Sequence, residues 1–327
     1  MNDMAEVTGA QAINQALWDA MSEDKNVIVF GEDVADREGG GVVGISKGLS
    51  TKFGNRVRST PISEQAMVGA AIGAAMVGMR PVVEIMLMNF CAVAMDMIVN
   101  HAAKLRFMSG GQTHVPMVLR TMTGSGLSNG GQHSDFLEAW FAHTPGLKVV
   151  IPSNPADAYG LIRSCIEDDD PCIFVEPLKV LFQKGPPPVR GSRVPLGVAK
   201  VIREGSDVSV ITYGPQTPIA IGAADKLRDT VSVEVVDLRT VAPFDLETVL
   251  GSVRKTGRAI ILHEAVKSFG VGAEIASRIT ESLFGILKTP VARVGGAFSP
   301  VPFSKPLETA FAPSPTDLES AIRRVMS

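Results

Sequence analysis

Glu64 is the residue whose placement points most directly to chemistry. It closes the stretch Ser59-Thr60-Pro61-Ile62-Ser63-Glu64 and opens a segment, Gln65 to Met79, built almost entirely of small or apolar residues. The pattern predicts a helix whose first turn enters the interior, where burial raises a carboxyl pKa toward the range useful for proton transfer. The competing reading makes Ser63 or Glu64 a cap for that first turn. His133 is the second candidate. It ends the loop from Thr123, which holds four glycines and continues as Ser134-Asp135. That loop follows a strand at its carboxyl end, where α/β folds place ligands. An imidazole titrating near neutrality can exchange protons with a substrate carboxylate or sulfur.

Other polar groups carry blander readings. Gly39-Gly40-Gly41 and Gly44 follow a strand ending in Gly31-Glu32-Asp33 and form a loop able to approach a ligand closely. Neither a dinucleotide fingerprint nor a lysine-containing phosphate loop follows any strand. His101 reads as structural, and His114, His143 and His263 lack metal-ligand spacing. The acidic run Glu167-Asp168-Asp169-Asp170 reads as a solvated helix end. Cys91, Cys165 and Cys172 are odd in number and set in apolar surroundings, so they read as core thiols in a reducing compartment.

The elements that must position these groups alternate. A helix enters at Thr8 with Ile13, Ala16, Leu17, Ala20 and Met21 on one face. Then come the strand Val27 to Phe30, the Glu64 helix, the strand Pro81 to Met86, a helix from about Asn89 to Met108, and the strand Val115 to Arg120. Leu147 to Ile151, a helix after Pro155 and Cys172 to Val175 follow. This alternation predicts a parallel sheet covered on both faces. Lys184 to Gly191, with three consecutive prolines, reads as an extended linker. A second set follows, from the strand Val208 to Thr212 to a last helix near Thr316 to Val325. The expected fold class is therefore α/β with two parallel-sheet domains, which suits a chain of 327 residues.

Composition excludes some functions. The formal net charge is −3 and no lysine- or arginine-rich block occurs, which argues against nucleic acid or an anionic membrane as partner. The longest uncharged apolar run, Ala66 to Met79, is shorter than the roughly 20 residues that span a bilayer. Neither a signal peptide nor a basic transit peptide is visible, so a cytoplasmic location is expected.

Taken in order, several motifs resemble the β subunit of the thiamine diphosphate-dependent decarboxylating component of 2-oxo acid dehydrogenases, the family of pyruvate, branched-chain 2-oxo acid and acetoin dehydrogenases. They are Gly31-Glu32-Asp33-Val34, Thr60-Pro61-Ile62-Ser63-Glu64, Gly78-Met79-Arg80-Pro81-Val82-Val83-Glu84, Ala102-Ala103-Lys104, Met108-Ser109-Gly110-Gly111, Gln132-His133-Ser134 and Pro145-Gly146-Leu147-Lys148-Val149-Val150. Asp237-Leu238-Arg239-Thr240 and Lys255-Thr256-Gly257-Arg258 follow. The resemblance implies a pyrimidine-binding domain over 1–184, a linker over 185–195 and a transketolase-like C-terminal domain over 196–327, in an α2β2 heterotetramer. It implies that Glu64 bonds N1′ of the cofactor, that Ile62, Met86 and Phe90 line the aminopyrimidine pocket, and that His133 assists acyl transfer to a lipoyl group on a dihydrolipoyl acyltransferase. It further implies a potassium ion held by backbone oxygens of Met117, Cys165, Asp168 and Asp170. The Gly-Asp-Gly element that holds Mg2+ and diphosphate is missing, which assigns those groups to the α subunit. Val93, Met97 and Asp135 depart from the glutamines of many relatives, leaving the substrate open. The leading expectation is oxidative decarboxylation of a 2-oxo acid; the alternatives are acetoin cleavage and a non-catalytic partner of an α subunit.

Overall fold

A computed structural model describes residues 5–327, so the acidic start of the chain at Asp3 lies outside the described residues. The chain forms two compact units: Met1–Thr123 with Trp140–Leu196, and Gly124–Ala139 with Gly197–Ser327.

The first unit opens with β1 (Val7–Thr8), α1 (Gly9–Glu23), β2 (Val27–Gly31), α2 (Leu49–Phe53), β3 (Val57–Ser59), α3 (Glu64–Met76) and β4 (Arg80–Leu87). After α4 (Leu105–Met108) and β5 (Val118–Thr123), the chain passes through α5 (Glu138–Ala142). It then closes with β6 (Lys148–Val150), α6 (Pro155–Glu167), β7 (Cys172–Pro177), α7 (Leu178–Phe182) and β8 (Lys184–Gly185). The strands lie in the order β6-β7-β5-β4-β2-β3 and all of these pairs are parallel. Thr8 starts α1 with a reciprocal capping box to Gln11, which meets the orphan amides of the first turn. The apolar stripe Ile13, Ala16, Leu17, Ala20 and Met21 then packs with Tyr159, Leu161 and Ile162 of α6 in one core.

Two stretches differ from their sequence reading. The expected helix over 89–108 is broken into a 3-10 segment (Met88–Ala94), a π-helix (Met97–Ala102) and α4. A uniformly apolar segment gives no period by which to tell these windings apart. The stretch expected as an extended linker is tied to the first unit. β8 pairs antiparallel with β1, the Gly191 amide donates to the Tyr159 hydroxyl, and Arg190 ion-pairs with Asp19.

The second unit contains β9 (Lys200–Arg203), β10 (Val208–Thr212), α8 (Thr217–Lys226), β11 (Val233–Asp237), β12 (Thr240–Ala242), α9 (Leu246–Thr256) and β13 (Ala259–Val266), followed by α10 (Val271–Leu283), β14 (Ala292–Gly296), α11 (Lys305–Phe311) and α12 (Pro315–Met326). Its sheet runs β14-β13-β10-β11-β9, parallel except for the edge strand β9, which is antiparallel to β11. α8 and α12 cover it through a core that includes Ala220, Ala224, Leu318 and Ile322. The segment Gly124–Ala139 also belongs here, although it leaves β5 of the first unit.

Candidate active site

Strand register sets the first cluster. Gly31 of β2 stands opposite Ser59 of β3 and Glu84 of β4, so the residues just beyond those strands emerge at one level. Those residues are Glu32 and the Thr60–Ser63 turn, while β4 runs on past this level through Met86 to Leu87. The Thr60 amide donates to the Gly31 carbonyl at 2.9 Å, and its hydroxyl meets Met67 Sδ at 2.9 Å, which ties the turn to both strand and helix. Glu64 is the first residue of α3 and is half-buried, not interior as its apolar helix suggests. The reason is that α3 buries only Met67, Val68, Ala71, Ile72 and Ala75, leaving Ala66, Ala70, Met76 and Val77 exposed. Ser63 makes no side-chain cap bond, which removes that part of the capping reading. Ile62 is 81% exposed beside Glu64, while Met86 and Phe90 are half-buried.

The carboxylates around Glu64 form a gradient of charge. Glu32 is buried and its Oε1 has no hydrogen-bond partner. Burial, then the charges of Glu64, Asp33 and Glu84, hold its pKa above the ordinary range. Glu84 is anchored by Arg120 Nη1 at 2.8 Å, and the same guanidinium grips Glu176 through Nε at 2.6 Å and Nη2 at 3.1 Å. Burial works against the charge of Arg120, yet Glu176 and Glu84 outweigh it and raise its pKa. Sequence reasoning passed over Glu32, Arg120 and Glu176; only Glu32 had a signal, its place in the Gly-Glu-Asp motif. The glycine loop closes on protein, since a Cβ on Gly41 would meet Glu84 Oε1 at 3.1 Å. A half-buried carboxyl with an orphaned buried oxygen of Glu32 nearby is a donor set able to meet the polar edge of a heteroaromatic ring.

His133 lies in the second unit and is half-buried in a short 3-10 turn, Gly131–His133. Two carboxylates hold its loop, and a third, Glu138, ties down the stretch that follows it. Glu264 Oε1 accepts from the Ser125 amide at 2.6 Å and hydroxyl at 2.9 Å. Glu308 Oε1 accepts from the amides of Gly126 at 2.7 Å and Ser128 at 3.0 Å. Glu138 accepts from the Tyr213 hydroxyl at 2.7 Å, and burial pushes its pKa up to about 7 against that bond.

The acidic helix end is braced rather than merely solvated. Lys148 pairs with Asp168, Arg80 with Asp169 and Arg106 with Asp170. The four carbonyls implied for potassium already accept from protein donors: Met117 from the Cys172 amide, Cys165 from the Asp168 amide, Asp168 from Arg80 and Asp170 from the Cys172 thiol. Among the described residues no group of three or more His, Cys, Asp or Glu could hold a metal ion. His101 sits 3.8 Å from Asp96 on the exposed π-helix, His143 is exposed, and His114 is half-buried. All three cysteines are free and buried, and burial pushes the Cys91 thiol up to about 12. Of the departures from the family pattern, Val93 is exposed, and Met97 and Asp135 are half-buried. No helix among the described residues is long and apolar enough to cross a membrane.

Comparison with known proteins places this geometry in context. Residues 5–182 match the family model for the transketolase pyrimidine-binding domain, and residues 197–318 that for the transketolase C-terminal domain. The chain is 42% identical to the acetoin:2,6-dichlorophenolindophenol oxidoreductase subunit beta of Cupriavidus necator, with 96% of each chain covered. It is 41% identical to the pyruvate dehydrogenase E1 component subunit beta of Bacillus subtilis, covering 99% of each. It is also 41% identical to the 3-methyl-2-oxobutanoate dehydrogenase subunit beta of Mycobacterium tuberculosis, covering 98% of this chain and 92% of that one. A solved split-gene transketolase, an inactive beta4 tetramer, shares the fold at a TM-score of 0.82 and 21% identity, over 98% of this chain and 99% of that one.

Proposed function

Since the chain belongs to the β subunits of the 2-oxo acid and acetoin dehydrogenase family, built from transketolase pyrimidine-binding and C-terminal domains, we propose that it forms half of a thiamine diphosphate site completed by an α subunit. The observation that carries this is Glu64 at the start of α3, just after the turn that leaves β3 where Gly31, Ser59 and Glu84 align, with Glu32 close enough to feel its charge. Glu64 would hold N1′ of the aminopyrimidine, with Ile62, Met86 and Phe90 as the apolar walls that orient the ring and exclude water. Bound thiamine diphosphate supplies the nucleophilic carbon and the electron sink for decarboxylation. Burial first, and then the charges of Glu64, Asp33 and Arg120-anchored Glu84, raise the pKa of Glu32 beside Glu64. His133 would assist acyl transfer to the lipoyl group of an acyltransferase, as a proton donor and acceptor.

Relatives named for pyruvate, 3-methyl-2-oxobutanoate and acetoin stand at nearly the same identity, so resemblance does not choose among them. The deciding experiment is co-purification with an α subunit carrying the diphosphate element. Reduction of an artificial electron acceptor is then measured with pyruvate, branched-chain 2-oxo acids and acetoin in parallel. Thiamine-dependent turnover with one class establishes the reaction; a pair that cannot bind the cofactor would leave a structural partner. Glu64→Gln in the active pair should cut turnover by about 100-fold or more while leaving the fold intact. Near-normal turnover in that variant would sink the role of Glu64.

A further inference from the structure

We propose that Glu308 is a positioning residue for His133, clamping the loop from β5 onto the second unit so that the imidazole meets the acyl acceptor in one geometry. This rests on the acyl-transfer reading of His133 given above. Glu308 is 2% exposed, on α11, far from His133 in sequence. Its Oε1 takes two amides of the loop, Gly126 and Ser128, and its Oε2 faces the Ser128 hydroxyl at 3.4 Å. Lys305 closes the clamp from the other side, bridging Glu308 Oε2 at 3.3 Å and the Gly126 carbonyl at 2.7 Å. A buried carboxylate accepting two amides and an ammonium is a strong, charge-assisted anchor. Burial opposes the charge, but Gly126, Ser128 and Lys305 together keep the carboxyl below its usual pKa.

The loop's next turn is seated by shape. Gly130 has φ of 74°, and a Cβ there would run into the Phe303 ring. A Cβ on Gly131 would meet Pro300 Cβ at 3.0 Å. The segment 300–308 is thus a bed that holds the loop at Gly126, Ser128, Gly130 and Gly131, ending two residues before His133. A misplacement of about 1 Å in a reacting group can cost up to about 100-fold in rate, which is the scale this bed controls.

The test uses the reconstituted α–β enzyme with a lipoylated acyltransferase domain as acceptor. Glu308→Ala should lower kcat for lipoyl acylation about 10- to 100-fold, with KM for the lipoyl domain changed less than about twofold. Glu308→Gln retains an acceptor oxygen for both amides, so it should restore most of the loss. The double variant Glu308→Ala/His133→Ala should be no slower than His133→Ala alone. Hydrogen exchange at the Gly126 and Ser128 amides should quicken about tenfold in Glu308→Ala and less in Lys305→Met, which spares the buried carboxylate. If His133→Ala acylates normally, the reading of His133 fails, and the exchange rates alone judge the clamp. Unchanged exchange in both clamp variants, or an unchanged kcat in Glu308→Ala while His133→Ala is slow, would overturn the positioning role.

Discussion

Glu32 shows how one buried carboxyl can be tuned by its neighbours without touching any of them through a hydrogen bond at Oε1. Its pKa stands above that of an unfolded glutamate, chiefly through burial and then through the charges of Glu64, Asp33 and Glu84. As pH rises past about 4.5, the unfolded chain releases this proton before the folded one does. The contribution of Glu32 to stability therefore falls as pH rises from there through its folded pKa. Glu32→Gln should lose that decline, so its denaturant midpoint should rise relative to the parent's as pH increases above about 4.5; a constant difference would refute the tuning. His263 behaves oppositely. It is wholly buried, with Nδ1 3.0 Å from the Ala265 carbonyl and Nε2 unpartnered, and burial draws its pKa down to about 4. As pH falls from about 6.5 to about 4, only the unfolded state gains the proton, which removes about 3 kcal/mol of stability. His263→Asn should flatten urea unfolding between pH 7 and pH 5, whatever its effect on absolute stability. Nothing in the sequence marks His263, and the motif around Glu32 does not show its burial, because burial from every side is a tertiary property. Glu64 stood out as a candidate because a quoted motif ends on it, while Glu308 and Glu264 did not, since their partners lie more than a hundred residues away.

At the scale of elements, strands announced themselves better than connections did. β2, β4, β5 and β7 are β-branched runs bounded by polar or turn residues, and the structure places each within a few residues of its sequence reading. The proline-rich stretch after β8 read only as an extended linker because no local pattern reveals a long-range tether. Tyr159 supplies much of that tether. Its hydroxyl donates to Asp19 Oδ2 at 2.8 Å and accepts from the Gly191 amide at 2.8 Å. Tyr159→Phe leaves both partners without their bond in a buried setting and should destabilise the first unit by about 1–3 kcal/mol. Protease nicking between Val189 and Val194 should become easier in the same variant. Equal resistance to nicking would mean that Arg190 and the β1–β8 pair suffice alone.

At the scale of the whole molecule, the chain under its proposed function supplies an activating acid and apolar walls, while its sequence has no Gly-Asp-Gly diphosphate element. Isolated chain should therefore gain almost no thermal stability from thiamine diphosphate and Mg2+. The reconstituted pair should gain about 3 kcal/mol at a cofactor concentration near 100 times its dissociation constant. Differential scanning calorimetry of the two samples checks this, and an equal shift in both would place the whole cofactor site on this chain. The division of the fold into two α/β units was readable from alternation of strand and helix. What alternation could not show was the allegiance of Gly124–Ala139, because that is decided by side chains far along the chain: Glu264 and Glu308, which hold Ser125, Gly126 and Ser128, and Tyr213, whose hydroxyl donates to Glu138.

That allegiance limits how this scaffold can be recombined. A hybrid joined near residue 196 would take the His133 loop from one parent and Glu264 and Glu308 from the other, so matched halves could still yield a mismatched clamp. For breeding chimeras of these subunits, the heritable block is discontinuous: 124–139 must travel with everything after 196.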